Sequence, residues 1–360
     1  MPNTDAPAPL RGRTPLTDVP PQHALDLAAL DRFLRGALPA YAGDLAIAKF
    51  GIGQSNPTYK ITARSRDGGA LEMVLRKKPA GHLLKGAHQV DREYRVITAL
   101  KDTGVPLPRT HALCTDPAVL GQDFYLMDYV DGRILEPRET LHLTNADRSA
   151  IFDSMNEVLV RLHQVDIDAV GLSDFGRHGA YFERQISVWS RQYRASTDRE
   201  MPDMDFLMQW LPANIPFADE TCVVHGDYRL GNVLLHPTEP RVVAVLDWEL
   251  STLGHPLADL AWNSCGYNIG NYPSGMADLD LQGLGIPTES QYLDLYCRRA
   301  GRAAIAQWDY ARAFALFRMA AILIGIYRRG LDGTASSPEA LGKFEHAATA
   351  AALARRIAAG

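Results

Sequence analysis

Cysteine is scarce in this chain: four among 360 residues, Cys114, Cys222, Cys265 and Cys297, lie far apart, with no C-x-x-C pair and no histidine at zinc-finger spacing. Their scatter argues against a disulfide framework and structural zinc, and predicts four buried thiols in a reducing cytosol. Excess positive charge is missing too. A net charge of -5 and a pI near 6.1 leave no basic field over the molecule, so no nucleic-acid partner is expected. The opening MPNTDAPAPLRGRTPLTDVPPQ lacks an apolar core; polar and Pro-rich, it reads as a disordered lead-in over residues 1–22 and not as a signal peptide. The most apolar stretch, AFALFRMAAILIGIY, is too short to span a bilayer and holds Arg318. A soluble cytoplasmic protein with no membrane partner is expected, and the length suffices for one large domain or two lobes. Oligomeric state leaves no mark in the sequence.

What is present changes character along the chain. ALDLAALDRFLRGAL repeats apolar residues at three and four spacing and predicts an amphipathic helix. LAIAKFGIG, TYKITA and LEMVLRKK are strand-like runs parted by Gly-containing turns such as RDGGA, and predict an antiparallel meander. HQVDREYRVITALK carries a helical stripe of Val90, Tyr94, Ile97 and Lys101, and FYLMDYVDG is a further apolar strand closed by Asp-Gly. From Asn145 helices dominate. Ile151, Met155, Val158, Leu159 and Leu162 share one face, and SSPEALGKFEHAATAAALARRI opens with Ser at a cap and Pro in the first turn. One isolated β segment interrupts them: NVLLHPTEPRVVAVLDWE reads as two short strands joined by a Pro-containing turn. The expected class is α+β, with a β-rich lobe over residues 23–127 and a larger helical lobe over 128–360.

The polar residues around that hairpin carry the chemistry. VVHGDYRLGNVLL supplies His225, Asp227 and Asn232, and VLDWE supplies Asp247. Phosphoryl transfer to a hydroxyl needs a carboxylate to take or orient the hydroxyl proton, and oxygen ligands for Mg²⁺ beside the phosphates. H-x-D-x-x-x-x-N followed by an Asp provides both: Asp227 as base, Asn232 and Asp247 as metal ligands.

On these residues the chain resembles the aminoglycoside phosphotransferase and choline kinase group, whose fold is protein-kinase-like and two-lobed. The resemblance implies ATP and Mg²⁺ as cofactors and a small-molecule hydroxyl as acceptor. GHPLADLAW resembles the segment that follows the metal aspartate in that group, which implies that Asp259 braces the catalytic loop; His225 is expected to brace it too. FYLMDYVDG resembles the interlobe hinge, where adenine would bond the backbone of Asp128 and Val130. LEMVLRKKP stands where a basic strand residue touches the α- and β-phosphates. Arg76 is favoured over Lys77 and Lys78 by aligning MVLR with V-A-I-K, and Glu93 is its helix partner. In FGIGQSNPTYKI, Gly51, Gly53 and Ser55 offer a phosphate loop without a third glycine.

LHQVDIDAVGLSDFGRHGAYFERQISVWSRQY and FRMAAILIGIYRRGLDGTASS are similar to the branch related to the kinase-like domain fused to some acyl-CoA dehydrogenases. That resemblance implies a hydroxyl on an acyl chain, a hydroxyacyl-CoA or hydroxy acid. Arg184 and Arg191 are then candidates for an anionic substrate, against the plain reading of solvent-facing arginines on a packed helix. Two other functions compete: a nucleotide-binding regulatory module without phosphotransfer, and a metal-dependent phosphoesterase built from His225, Asp227, His236, Asp247 and His255.

Overall fold

The computed structural model describes residues 15–51, 56–79, 89–197, 199–270, 272, 274–335 and 338–360. The chain packs as two compact units. One is formed by the residues up to Leu135 with Leu230–Ser251, the other by Glu136–Arg229 with Thr252–Gly360.

The first unit is an antiparallel sheet of β1 (Leu16–Thr17), β2 (Tyr41–Phe50), β3 (Thr58–Ser65), β4 (Ala70–Lys77), β5 (Thr110–Cys114) and β6 (Phe124–Asp128), in the spatial order β1-β2-β3-β4-β6-β5. Its helices are α1 (Leu27–Ala37), capped by the Asp26 carboxylate on the Ala29 amide, α2 (Val90–Ala99) and the short α3 (Pro117–Leu120). In β3 the period of two is visible as burial: Tyr59, Ile61 and Ala63 face the core while Lys60 and Thr62 face away. The sheet's first core packs Leu30 and Leu34 of α1 against Tyr59, Ile61, Met73, Leu75, Phe124 and Leu126. Val74, between Met73 and Leu75, is also buried but outside that cluster, so β4 is covered on both faces. Arg76 shares the Val74 face by alternation. β5 was not foreseen in the sequence pattern.

The foreseen hairpin pairs Val233–Leu235 with Val242–Val245, and belongs with the sheet unit. Arg133 exchanges both backbone hydrogen bonds with Leu235, at 2.9 and 2.8 Å, and the Val245 amide donates to Pro106 O at 2.9 Å.

The second unit is mainly helical: α4 (Asn145–His163), α5 (Tyr181–Ser196), α6 (Pro202–Ala213), α7 (Pro256–Asn263), α8 (Glu289–Ala300), α9 (Trp308–Leu331) and α10 (Lys343–Ala359). The five α4 residues read as one face are all buried. A two-strand antiparallel ladder, Cys222–Val224 with Thr252–Gly254, leads into and out of the hairpin.

Helix α9 is longer than the apolar run read from the sequence. By length and composition its 24 residues suffice to cross a membrane, but 67% of the apolar window is buried inside the unit. Phe314, Phe317, Ala320 and Ile324 pack against α5, α6 and α10, as a core helix does. The C-terminal helix starts later than its sequence suggested: a 3-10 turn at Pro338–Gly342 precedes α10, and Ser336 and Ser337 lie outside the described residues.

Candidate active site

In the sheet unit Arg76 is the centre. Its Nε approaches Glu93 Oε2 at 2.8 Å, a close charge contact not directed as a hydrogen bond, and an Nη donates to Asp247 Oδ1 at 2.6 Å. Glu249 Oε2 stands 3.9 Å away. Glu93 is 1% exposed, and its second oxygen accepts from Asn56 Nδ2 at 2.8 Å while the Tyr125 hydroxyl donates to Oε2 at 3.1 Å. Burial pushes the Glu93 carboxyl up to about 7, against the pull of the Arg76 charge. Burial also opposes the Arg76 cation, but Glu93, Asp247 and Glu249 outweigh it and hold its proton more firmly than usual. Of Arg76 and Lys77 at the end of β4 and Lys78 just beyond it, Arg76 is the one joined to the α2 glutamate.

Asp247 has φ of +64°, left-handed backbone that a non-glycine residue adopts at a cost. Its neighbour Trp248 is buried with the indole N–H on Val245 O, which fixes the turn that presents the carboxylate. Asn232 is buried, and its carbonyl accepts from the Leu246 amide at 2.9 Å, tying the two metal-ligand candidates through one backbone bond. Carboxylate and amide oxygens are the hard donors that Mg²⁺ takes, so the pair fits that ion.

In the helical unit the loop at His225–Asp227 hangs from Asp259. The Asp259 carboxylate, buried on α7, accepts the His225 amide at 2.7 Å and the Gly226 amide at 2.9 Å. Burial opposes its ionisation, but the hydrogen bond and charge of His163, with the His225 contributions, hold it below the ordinary carboxylate range. His163 in turn meets the Tyr296 hydroxyl at 2.7 Å. The buried His225 ring accepts the Asp227 amide at Nδ1, 3.2 Å away. Asp227 keeps 22% of its side chain exposed. Its Oδ1 accepts the Trp262 indole N–H at 2.6 Å, and Arg229 Nε lies 3.7 Å from Oδ2.

The other expected residues fall as follows. The Asp128 amide donates to Arg109 O at 2.8 Å and its carboxylate bonds His111 at 2.6 Å. Val130 follows β6. The Gly51 amide is engaged by Pro15 O at 2.9 Å; Gly53 and Ser55 lie outside the described residues. Arg184 donates to the carbonyls of Arg177 and His178, and Arg191 to Ser187 Oγ, so both have local partners on or beside α5. The phosphoesterase reading loses its extra ligands. His236 Nδ1 accepts turn amides of Thr238 and Glu239, and His255 Nδ1 caps α7 at the Leu257 amide. Among the described residues no group of three His, Cys, Asp or Glu side chains is gathered as a metal site. Asn56, Tyr125, Trp262 and Arg318 carry no role in the sequence expectations, although each stands inside a quoted stretch: FGIGQSNPTYKI, FYLMDYVDG, GHPLADLAW and AFALFRMAAILIGIY.

A mostly antiparallel sheet unit with a buried basic–acidic pair, and a helical unit with an aspartate-braced H-x-D loop, define the protein-kinase-like phosphotransferase class. A profile of the Phosphotransferase enzyme family matches residues 46–281, and the chain belongs to that family. Acyl-CoA dehydrogenase family member 10 of Mus musculus is 44% identical over 321 residues, 88% of this chain and 30% of that protein. The chain thus spans under half the length of the curated relatives it matches. The likeness to the fused kinase-like domain, read first from motifs, is shown by these relatives. A Ralstonia eutropha crystal structure provisionally assigned as an aminoglycoside phosphotransferase is 44% identical, with a TM-score of 0.85 over 93% of this chain and 99% of that one. Choline kinase from Cryptosporidium parvum shares the fold alone, at 13% identity and a TM-score of 0.61 over 90% and 95% of the two chains.

Proposed function

We propose that this chain is an ATP- and Mg²⁺-dependent small-molecule kinase that transfers the γ-phosphoryl group to a substrate hydroxyl, with a hydroxyacyl-CoA or free hydroxy acid as acceptor. The observation that carries the reading is the buried Arg76, held at once by Glu93 and by Asp247. A phosphate-binding cation fixed between a helix glutamate and a metal-binding aspartate is the arrangement phosphoryl transfer needs. A regulatory module has no use for Asp227, which the sequence tethers five residues from Asn232.

In this reading the Arg76 fork binds α- and β-phosphate oxygens. Asn232 and Asp247 hold Mg²⁺, which neutralises phosphate charge when bound. The Asp128 amide being engaged, its carbonyl is the group that meets the adenine amino group, beside the Val130 amide. Asp227 orients the acceptor hydroxyl and takes its proton as the oxygen attacks the γ-phosphorus in line, the bond to the β-phosphate oxygen breaks, and ADP leaves. The acceptor class rests on the acyl-CoA dehydrogenase relatives. Arg184 or Arg191 would meet an anionic acceptor only by releasing its present local bonds.

The test is incubation with Mg-ATP and a panel of hydroxyacyl-CoAs, hydroxy acids, choline and aminoglycosides, read as phosphorylated product by mass spectrometry. Asp227→Asn should keep the thermal shift given by Mg-ATP and lose turnover by about three orders of magnitude. Near-normal turnover in that variant removes Asp227 from the base role. Stabilisation by Mg-ATP with no product from any acceptor favours the regulatory module.

A further inference from the structure

We propose that Trp262 and Arg318 are positioning residues for Asp227, an inference that rests on the phosphotransfer reading and extends it. Trp262 stands three residues after Asp259 on α7. The helix that fixes the His225 and Gly226 amides therefore also fixes the Asp227 carboxylate, through the 2.6 Å indole hydrogen bond to Oδ1. The Trp262 ring is itself held. The Arg318 guanidinium, from the middle of α9, lies 4.2 Å from its centre and 5.4 Å from that of Trp189. The same guanidinium donates to Gly226 O at 2.5 Å, where a φ of +84° turns the carbonyl of the residue before the base.

Arg318 is 5% exposed, its Nε has no hydrogen-bond partner, and none of the described carboxylates pairs with it. A cation buried this way costs stability. Two indole faces and one carbonyl offset part of that cost. An ordinary core arginine would be expected to find a carboxylate; this one instead grips the ring and the carbonyl on either side of Asp227. A carboxylate free to rotate spends much of its time in rotamers that miss the acceptor hydroxyl, so one oxygen held by a charge-assisted bond shortens that search.

Trp262→Phe keeps a ring for Arg318 and removes only the N–H. With Mg-ATP as substrate and water as acceptor, ADP release should show kcat lowered about ten- to hundredfold, with KM for Mg-ATP within about twofold of wild type. Arg318→Lys keeps the charge and loses the fork; it should lower kcat with the same split. A second readout is independent of turnover. In ¹H–¹⁵N spectra the Trp262 indole resonance, assigned by its loss in W262F, should lie downfield and move upfield in Asp227→Asn, while the other four tryptophan indoles stay in place. An unchanged kcat in W262F, or an indole signal indifferent to Asp227→Asn, overturns the proposal. A dead Asp227→Asn beside a normal W262F sinks the positioning role alone, whereas Asp227→Asn with wild-type turnover sinks the base role as well.

Discussion

One buried carboxylate, Asp259, decides the course of the loop that carries Asp227, the proposed base. Both of its oxygens receive backbone amides, and His163 supplies a third contact. Asparagine at this position would set an NH₂ against one of those donors. Asp259→Asn should cost about 2–4 kcal/mol at neutral pH, measured by chemical denaturation. Because the folded carboxyl lies below its ordinary value of 3.8, the stability it contributes is present above that value. It is lost as pH falls through the lower folded value. The gap between wild type and variant should therefore narrow below pH 3.8, and a gap that widens there contradicts the assigned ionisation. The role of Asp259 could be read from the G-x-P-x-x-D-L-A resemblance. That of Trp262 could not, because an apolar ring on a helix gives no sign in sequence of where its one polar atom points.

At the scale of elements, the crossing of the 130–135 segment with the 233–245 hairpin depends on a missing side chain. A Cβ on Gly132 would come within 2.5 Å of both Leu234 Cγ and the Leu235 carbonyl oxygen. The bridge between Arg133 and Leu235 would have to open to admit it. Gly132→Ala should destabilise the protein by about 1–3 kcal/mol, read as a lower urea midpoint. Gly36, inside α1 with nothing within 4 Å of an added Cβ, gives the control: Gly36→Ala should raise stability by about 0.5–1 kcal/mol. The strands of the hairpin were legible as apolar runs around a Pro-containing turn. Their grouping with the sheet unit was not, since it is made by backbone bonds to Arg133 and Pro106 that leave no mark in composition. β5 was missed for a related reason: the THALC run is short and only half-buried, so its alternation carries little contrast.

For the whole molecule, the four cysteines are free and buried, in both units. Burial raises every one of their thiols, Cys265 to about 12. A thiol reagent should therefore find almost no reactive group in the native protein at pH 8 and four after denaturation; fast native labelling would contradict the packing. Burial also explains α9. Composition marks it as apolar enough for a membrane, and only the packing of α5, α6 and α10 around it shows that its apolar side chains fill a core.

By itself the sequence determined the class of chemistry. H-x-D-x-x-x-x-N, the later Asp247, the basic end of β4 and Glu93 occur in one order, and local periodicity placed them on strands and a helix. It also determined the family. Tertiary structure alone decided the particular contacts: that Arg76, favoured in the sequence over Lys77 and Lys78, meets Asp247 as well as Glu93, that the amides of His225 and Gly226 are the ones Asp259 receives, and that Trp262 and Arg318 reach Asp227 and the carbonyl before it. The physical reason is range. Periodicity and turn chemistry act over a few residues, whereas these contacts join positions 17 to 171 residues apart, and only the packed core brings such positions together.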